Sequence, residues 1–273
     1  MSLSTQPAVV PDHTMTDTVY IGIDPTAGKR PMNFAVLDDN LRPFVLDGAG
    51  GLDEVLAAVL AYPAAVVAVD APQSPNGGLM ASAAYREQLS PPPAPGRFRN
   101  YKVCEYQLRS RGIGLYVTPV DEAAAPSWMQ MGFQLYAALR QAGFELHRPG
   151  SVAPRQFLEV HPHACFSVLL GRLPLQKNLL EGRLQRQLVL YRAGVGVPDP
   201  MAALEELTAH HLLAGNLDLP GLLSHDALDA LAAAYTAQQA ALAPEQVTLV
   251  GDLQEGQIVL PVPPAQLKRL YER

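Results

Sequence analysis

Two short runs of the chain, residues 19–23 and 65–69, carry no charged side chain, and each is followed at once by a carboxylate, Asp24 or Asp70. Val, Ile and Tyr favour strands, and a run apolar on both faces suits a buried parallel strand. Pro25 and Pro72 stand just beyond the two runs and disfavour their continuation. Each aspartate is thereby predicted at a strand's carboxyl end, the edge where open α/β sheets bind ligands. Residues 33–38 and 43–47 read as two further strands beside the first. A helix follows over 51–61, with Leu52, Val55, Leu56, Val59 and Leu60 at helical spacing.

Residues 72–95, rich in Pro, Gly, Ser and Asn, read as an extended or mobile excursion. Helices are predicted over 101–110 and over 127–142. The second takes Ser127 as N-cap and Trp128, Met131, Leu135, Ala138 and Leu139 as its apolar stripe. Residues 156–160 form a strand with Glu159 near its end and His161-Pro162-His163 beyond. Residues 164–213 read as a succession of broken helices. A long helix then starts after the N-cap Ser224, and 247–261 forms a hairpin with Glu255 in its turn.

Asp226 and Asp229, three residues apart, share one face of that late helix near its start. The helix dipole alone favours acids there, but this explains one aspartate better than two. Ala227, Ala230 and Ala233 beside them allow close packing. Hard divalent ions prefer oxygen ligands, and a pair about 3.5–4 Å apart supports phosphodiester cleavage. Asp24, Asp70, Asp226 and Asp229 supply the carboxylates for Mg²⁺ or Mn²⁺ if the two strand ends and the helix meet. His161 and His163 lack the further His or Cys of a zinc site.

The chain has 273 residues, 48% of them hydrophobic, which suffices for a sizeable core behind those elements. We expect a loose tail over 1–18 and one domain over 19–273, with insertions at about 72–126 and 164–222. No signal-like start and no membrane-length apolar run is present, and Cys104 and Cys165 lie far apart; together these predict a cytoplasmic protein with two ordinary thiols. A net charge of −6 argues against non-specific coating of nucleic acid. A local basic stretch, Arg97, Arg99, Lys102, Arg109 and Arg111, is either a solvated helix face or a patch that steers a polyanion. For Lys177, Arg183, Arg186 and Arg192, solvent is the simpler expectation.

The order of these elements resembles the RNase H-like fold of Holliday-junction resolvases: a mixed α/β sheet, three antiparallel strands then parallel ones, with helices on both faces. The short motifs Gly22-Ile23-Asp24, Val69-Asp70-Ala71-Pro72, Cys104-Glu105, Glu159-Val160-His161-Pro162, Asp226-Ala227-Leu228-Asp229 and Gly251-Asp252 more closely resemble a prokaryotic family, domain of unknown function 429. Its members are described as predicted RNase H-like nucleases. The resemblance implies a metal-dependent nuclease acting on a nucleic acid, with a helical insertion and a C-terminal hairpin added to the fold. It carries metal ligands onto Asp24, Asp70, Asp226 and Asp229, with Glu159 as a fifth catalytic acid. Arg99, Lys102 and Arg109 are expected to bind substrate. Two other functions stay open: nucleotide binding or phosphoryl transfer on a related sheet, and a catalytically silent binding protein. Gly22 to Lys29 does not form a P-loop, because Arg30 stands where Ser or Thr is needed.

Overall fold

The structure, a computed structural model, describes residues 18–26, 31–49, 51–215, 217 and 219–273, without the side chains of Asp47 and Ala49. The expected tail, save Thr18, and the turn at 27–30 lie outside the described residues. An eight-stranded mixed sheet is built from β1 (Val19–Asp24), β2 (Met32–Leu37), β3 (Pro43–Ala49), β4 (Ala65–Val69), β5 (Glu145–Leu146), β6 (Arg155–Glu159), β7 (Thr248–Asp252) and β8 (Gly256–Leu260). The order is β3-β2-β1-β4-β6-β8-β7. β2 runs antiparallel to β1 and β3, while β1, β4 and β6 are mutually parallel. β5 pairs Gln156 and Phe157 of β6, and β8 takes over at Glu159. The terminal hairpin is therefore part of the main sheet.

The strands bury both faces. On one, Tyr20, Val66, Ala68, Leu158 and Val160 pack under α5 (Pro162–Leu170), α6 (Leu180–Arg192) and α9 (His225–Leu242). On the other, Ile21, Ile23, Val67, Val69 and Phe157 meet α1 (Leu52–Leu60) and α4 (Ser127–Gln141). Alternate residues of a strand point to opposite faces, so these two clusters fix the parity of every later position. The remaining helices are α2 (Ala83–Glu87), α3 (Val103–Arg109), α7 (Pro200–Glu205) and α8 (Ala209–Ala214). No helix among the described residues is long and apolar enough to cross a membrane.

Three expectations need correction. Pro126, not Ser127, takes the N-cap position of α4, and no side chain caps that helix end. The buried residues of α4 are Met129, Gly132, Phe133, Leu135, Tyr136 and Leu139, with Trp128 and Met131 half-buried, because the helix packs on the sheet and also beneath Tyr116 and Ala125. The excursion after Pro72 is anchored rather than loose. Lys102 Nζ donates to Ser74 O at 2.7 Å and to Glu255 O at 2.9 Å. Glu255 in turn accepts from the N–H groups of Leu79 and Val103 at 2.8 and 3.2 Å. Glu255 does lie in the β7–β8 turn, but it is buried and pins the excursion to it.

Candidate active site

Ile23 pairs with Val69, and the Asp70 N–H donates to Ile23 O at 2.9 Å, so the ends of β1 and β4 stand level. Asp24 shares parity with Tyr20, and Asp70 with Val66 and Ala68. Both carboxylates thus belong to the face covered by α9. α9 reaches that face because Gly22 has no side chain. A Cβ there would lie 1.9 Å from Ala230 O and 2.8 Å from Ala233 Cβ. The contact sets the first turns of α9 over the strand ends. Asp229 is buried there, while Asp226 is half-buried and pairs with His225 Nδ1 at 2.7 Å.

The charges of these groups act on one another. Burial, then the Asp70, Asp229 and Asp226 carboxylates, push the Asp24 pKa up to about 8, with Lys177 opposing. Lys177 Nζ lies 2.6 Å from Asp229 Oδ2. Burial works against the Lys177 charge, but Asp229, then Asp24 and Asp70, more than offset it and raise its pKa. Burial likewise raises Asp229, with Lys177 opposing and Asp70 adding to the rise.

His161 follows β6, with Nδ1 3.5 Å from Asp70 Oδ1 and Nε2 3.2 Å from Gly114 O. Burial disfavours its charge; the acceptors at both ring nitrogens outweigh that and raise its pKa. The ring meets Tyr116 edge-on at 5.5 Å. His163 is held neutral, pushed down to about 4 by burial and by His161, Arg186 and Lys177. A cleft of about 790 Å³ opens beside the carboxylates, lined by Asp70, His161, His163, Lys177, Arg186 and Asp229 among others.

Glu159 stands apart from the aspartates. Its neighbours Leu158 and Val160 face α9, so its side chain points to the opposite side of the sheet. It is buried, and its Oε2 accepts from the Gln73 N–H at 3.0 Å. Burial pushes its pKa up to about 7, opposed by Lys102 and that amide. Lys102 is buried as well, its ammonium committed to two backbone carbonyls; it is unavailable to a phosphate, contrary to expectation. Arg99 and Arg109 are exposed, Arg109 donating to Leu115 O at 3.1 Å, and neither lines the cleft. Lys177 and His161 were not expected in the site. The position of His161, two residues past a strand end at the carboxylate edge, was the signal for it.

Asp24, Asp70 and Asp229 suit a hard divalent cation in two respects. Their donors are all oxygen, and their mutual repulsion is the charge imbalance a cation would remove. Among the described residues, however, no three His, Cys, Asp or Glu side chains are grouped closely enough to hold an ion as they stand.

A family profile described as "Protein of unknown function (DUF429)" matches residues 22–255. The chain belongs to this family. The DUF429 match spans Asp24, Asp70, Glu159, His161, Lys177 and the Asp226/Asp229 pair. No curated protein and no solved structure matches the chain.

Proposed function

We propose that this DUF429 chain is a metal-dependent phosphodiesterase acting on a nucleic acid, with an RNase H-like arrangement of its sheet. The observation that carries this is the level placing of Asp24 and Asp70 on adjacent parallel strands beneath Asp229 of α9. The order β3-β2-β1-β4-β6, with β2 alone reversed among the five, supports the RNase H-like assignment.

Asp24, Asp70 and Asp229 would hold Mg²⁺ or Mn²⁺, with Asp226 completing the set. Such an ion, when bound, activates water and stabilises a leaving oxygen in phosphodiester cleavage. The chain's own groups prepare the site. His161 orients Asp70 from behind, its other nitrogen fixed by Gly114 O. Lys177 offsets the Asp229 charge and is half-exposed at the cleft wall, within reach of an incoming phosphate. Glu159 acts on the loop after Asp70 through Gln73, as a positioning residue.

Purified protein with Mn²⁺ is expected to cleave a single-stranded oligonucleotide, and Asp24→Asn to lower the rate at least about 100-fold, the scale of losing one electrostatic contributor. An unchanged rate in the variant would overturn the assignment. One observation favours the second function, a silent binding protein: the donors are not gathered, and Lys177 already compensates Asp229. That function predicts oligonucleotide binding indifferent to Mn²⁺ and no cleavage.

A further inference from the structure

The cleft beside the carboxylates has features that metal binding does not use. Arg172 and Arg273 line it, are exposed, and have no hydrogen-bond or ion-pair partner among the described residues. Arg186 lines it too and is 2% exposed. Its Nη1 donates to Leu175 O at 2.7 Å and to Gly182 O at 3.2 Å, while its Nε is buried with no partner. A buried guanidinium with an unused donor is costly unless something fills it. The loop that carries Arg172 also brings Leu173, Leu175 and Leu179 to the cleft, the last two with 47% and 41% of their surface exposed. Cations, apolar side chains and carboxylates lining one cleft supply the chemistry that a nucleotide's phosphate, base and scissile bond require.

The size narrows the substrate. About 790 Å³ falls within the roughly 300–1,000 Å³ of pockets for small ligands. A duplex, with grooves about 6–12 Å wide between its strands, is too broad to enter a cleft of this size. We propose that the cleft receives a short single-stranded segment, about one nucleotide deep, with Arg172 and Arg273 holding the phosphate beside the scissile one and the leucines carrying its base. Apolar contact with a base face is indifferent to base identity, so the preference is for strand form rather than sequence. This substrate class rests on the phosphodiesterase function proposed above.

The test uses the Asp24→Asn protein in EDTA, with a fluorescein-labelled tetranucleotide and a hairpin duplex as probes. The tetranucleotide should bind at least about tenfold more tightly than the hairpin. Arg172→Ala and Arg273→Ala should each weaken it about tenfold, the scale of one charged hydrogen bond. Each should also take about 0.7 off the slope of log K against log salt. Arg192→Ala, exposed on α6 away from the cleft, should change neither. Tighter hairpin binding, or unchanged affinity and slope in both arginine variants, would overturn the proposal. Mn²⁺-dependent cleavage by the otherwise wild-type protein that ignores Arg172 and Arg273 would keep the phosphodiesterase and discard the cleft. Arginine-dependent binding without any cleavage would do the reverse.

Discussion

Asp24 is the carboxylate of the site that burial and its acidic neighbours push up to about 8. Its pKa stands at about 8 in the fold against 3.8 ordinarily, so between those values folding takes up a proton. That contribution is fully present below about pH 4 and is lost as pH rises through about 8. Glu159, pushed up to about 7 by burial, acts in the same direction. Metal-free protein should therefore melt at lower temperature as pH rises from 5 to 8, and Asp24→Asn should flatten that slope; thermal melts at several pH values decide it. An equal slope in both proteins would show that Asp24 ionises without the burial and repulsion described. At this level the sequence was readable for Asp24 and Asp70, because an apolar run that stops at a carboxylate and then a proline marks the end of a buried strand. It misled for Lys102, whose partners Ser74 and Glu255 lie 28 and 153 positions away, beyond any local pattern.

The contact between β1 and α9 sets the geometry of the site, and it depends on Gly22. Any side chain there meets the helix backbone at Ala230 O and at Ala234 N, 1.9 and 2.4 Å from an added Cβ, and backbone cannot step aside as a flexible side chain can. Gly22→Ala should cost about 1–3 kcal/mol or more, read as a lower melting temperature. It should also weaken divalent-ion binding, since α9 carries Asp229 away from the strand ends as it shifts. An unchanged melting temperature would mean that the helix is less closely applied than described. The stretch of small residues Ala227, Ala230 and Ala233 announced close packing, but not the partner that receives it. Glu159 is the opposite case. Its place at a strand end was legible, yet its side of the sheet was not, because parity is set by pairing with β4 rather than by its own neighbours in sequence.

Across the molecule, the sheet gathers strand ends from residues 24, 70 and 159 at one edge, α9 supplies Asp229, and the loop between α5 and α6 supplies Lys177 and one wall of the cleft. Strand and helix periodicity carried most of the elements; the two-residue β5 and the anchoring of the 72–126 excursion were invisible, since both depend on contacts between distant segments. A metal ion would offset the burial and the carboxylate repulsion that together raise the Asp24 pKa, and a ligand that binds only the folded state must stabilise it. The direct measurement is thermal denaturation at pH 8 with Mn²⁺ titrated into wild-type and Asp24→Asn protein. At a concentration of about 100 times the dissociation constant, the wild type should gain about 2.7 kcal/mol. Asp24→Asn should start more stable than the metal-free wild type and gain little. No Mn²⁺-induced shift in the wild type, or the same shift in both proteins, would contradict a metal site built on Asp24.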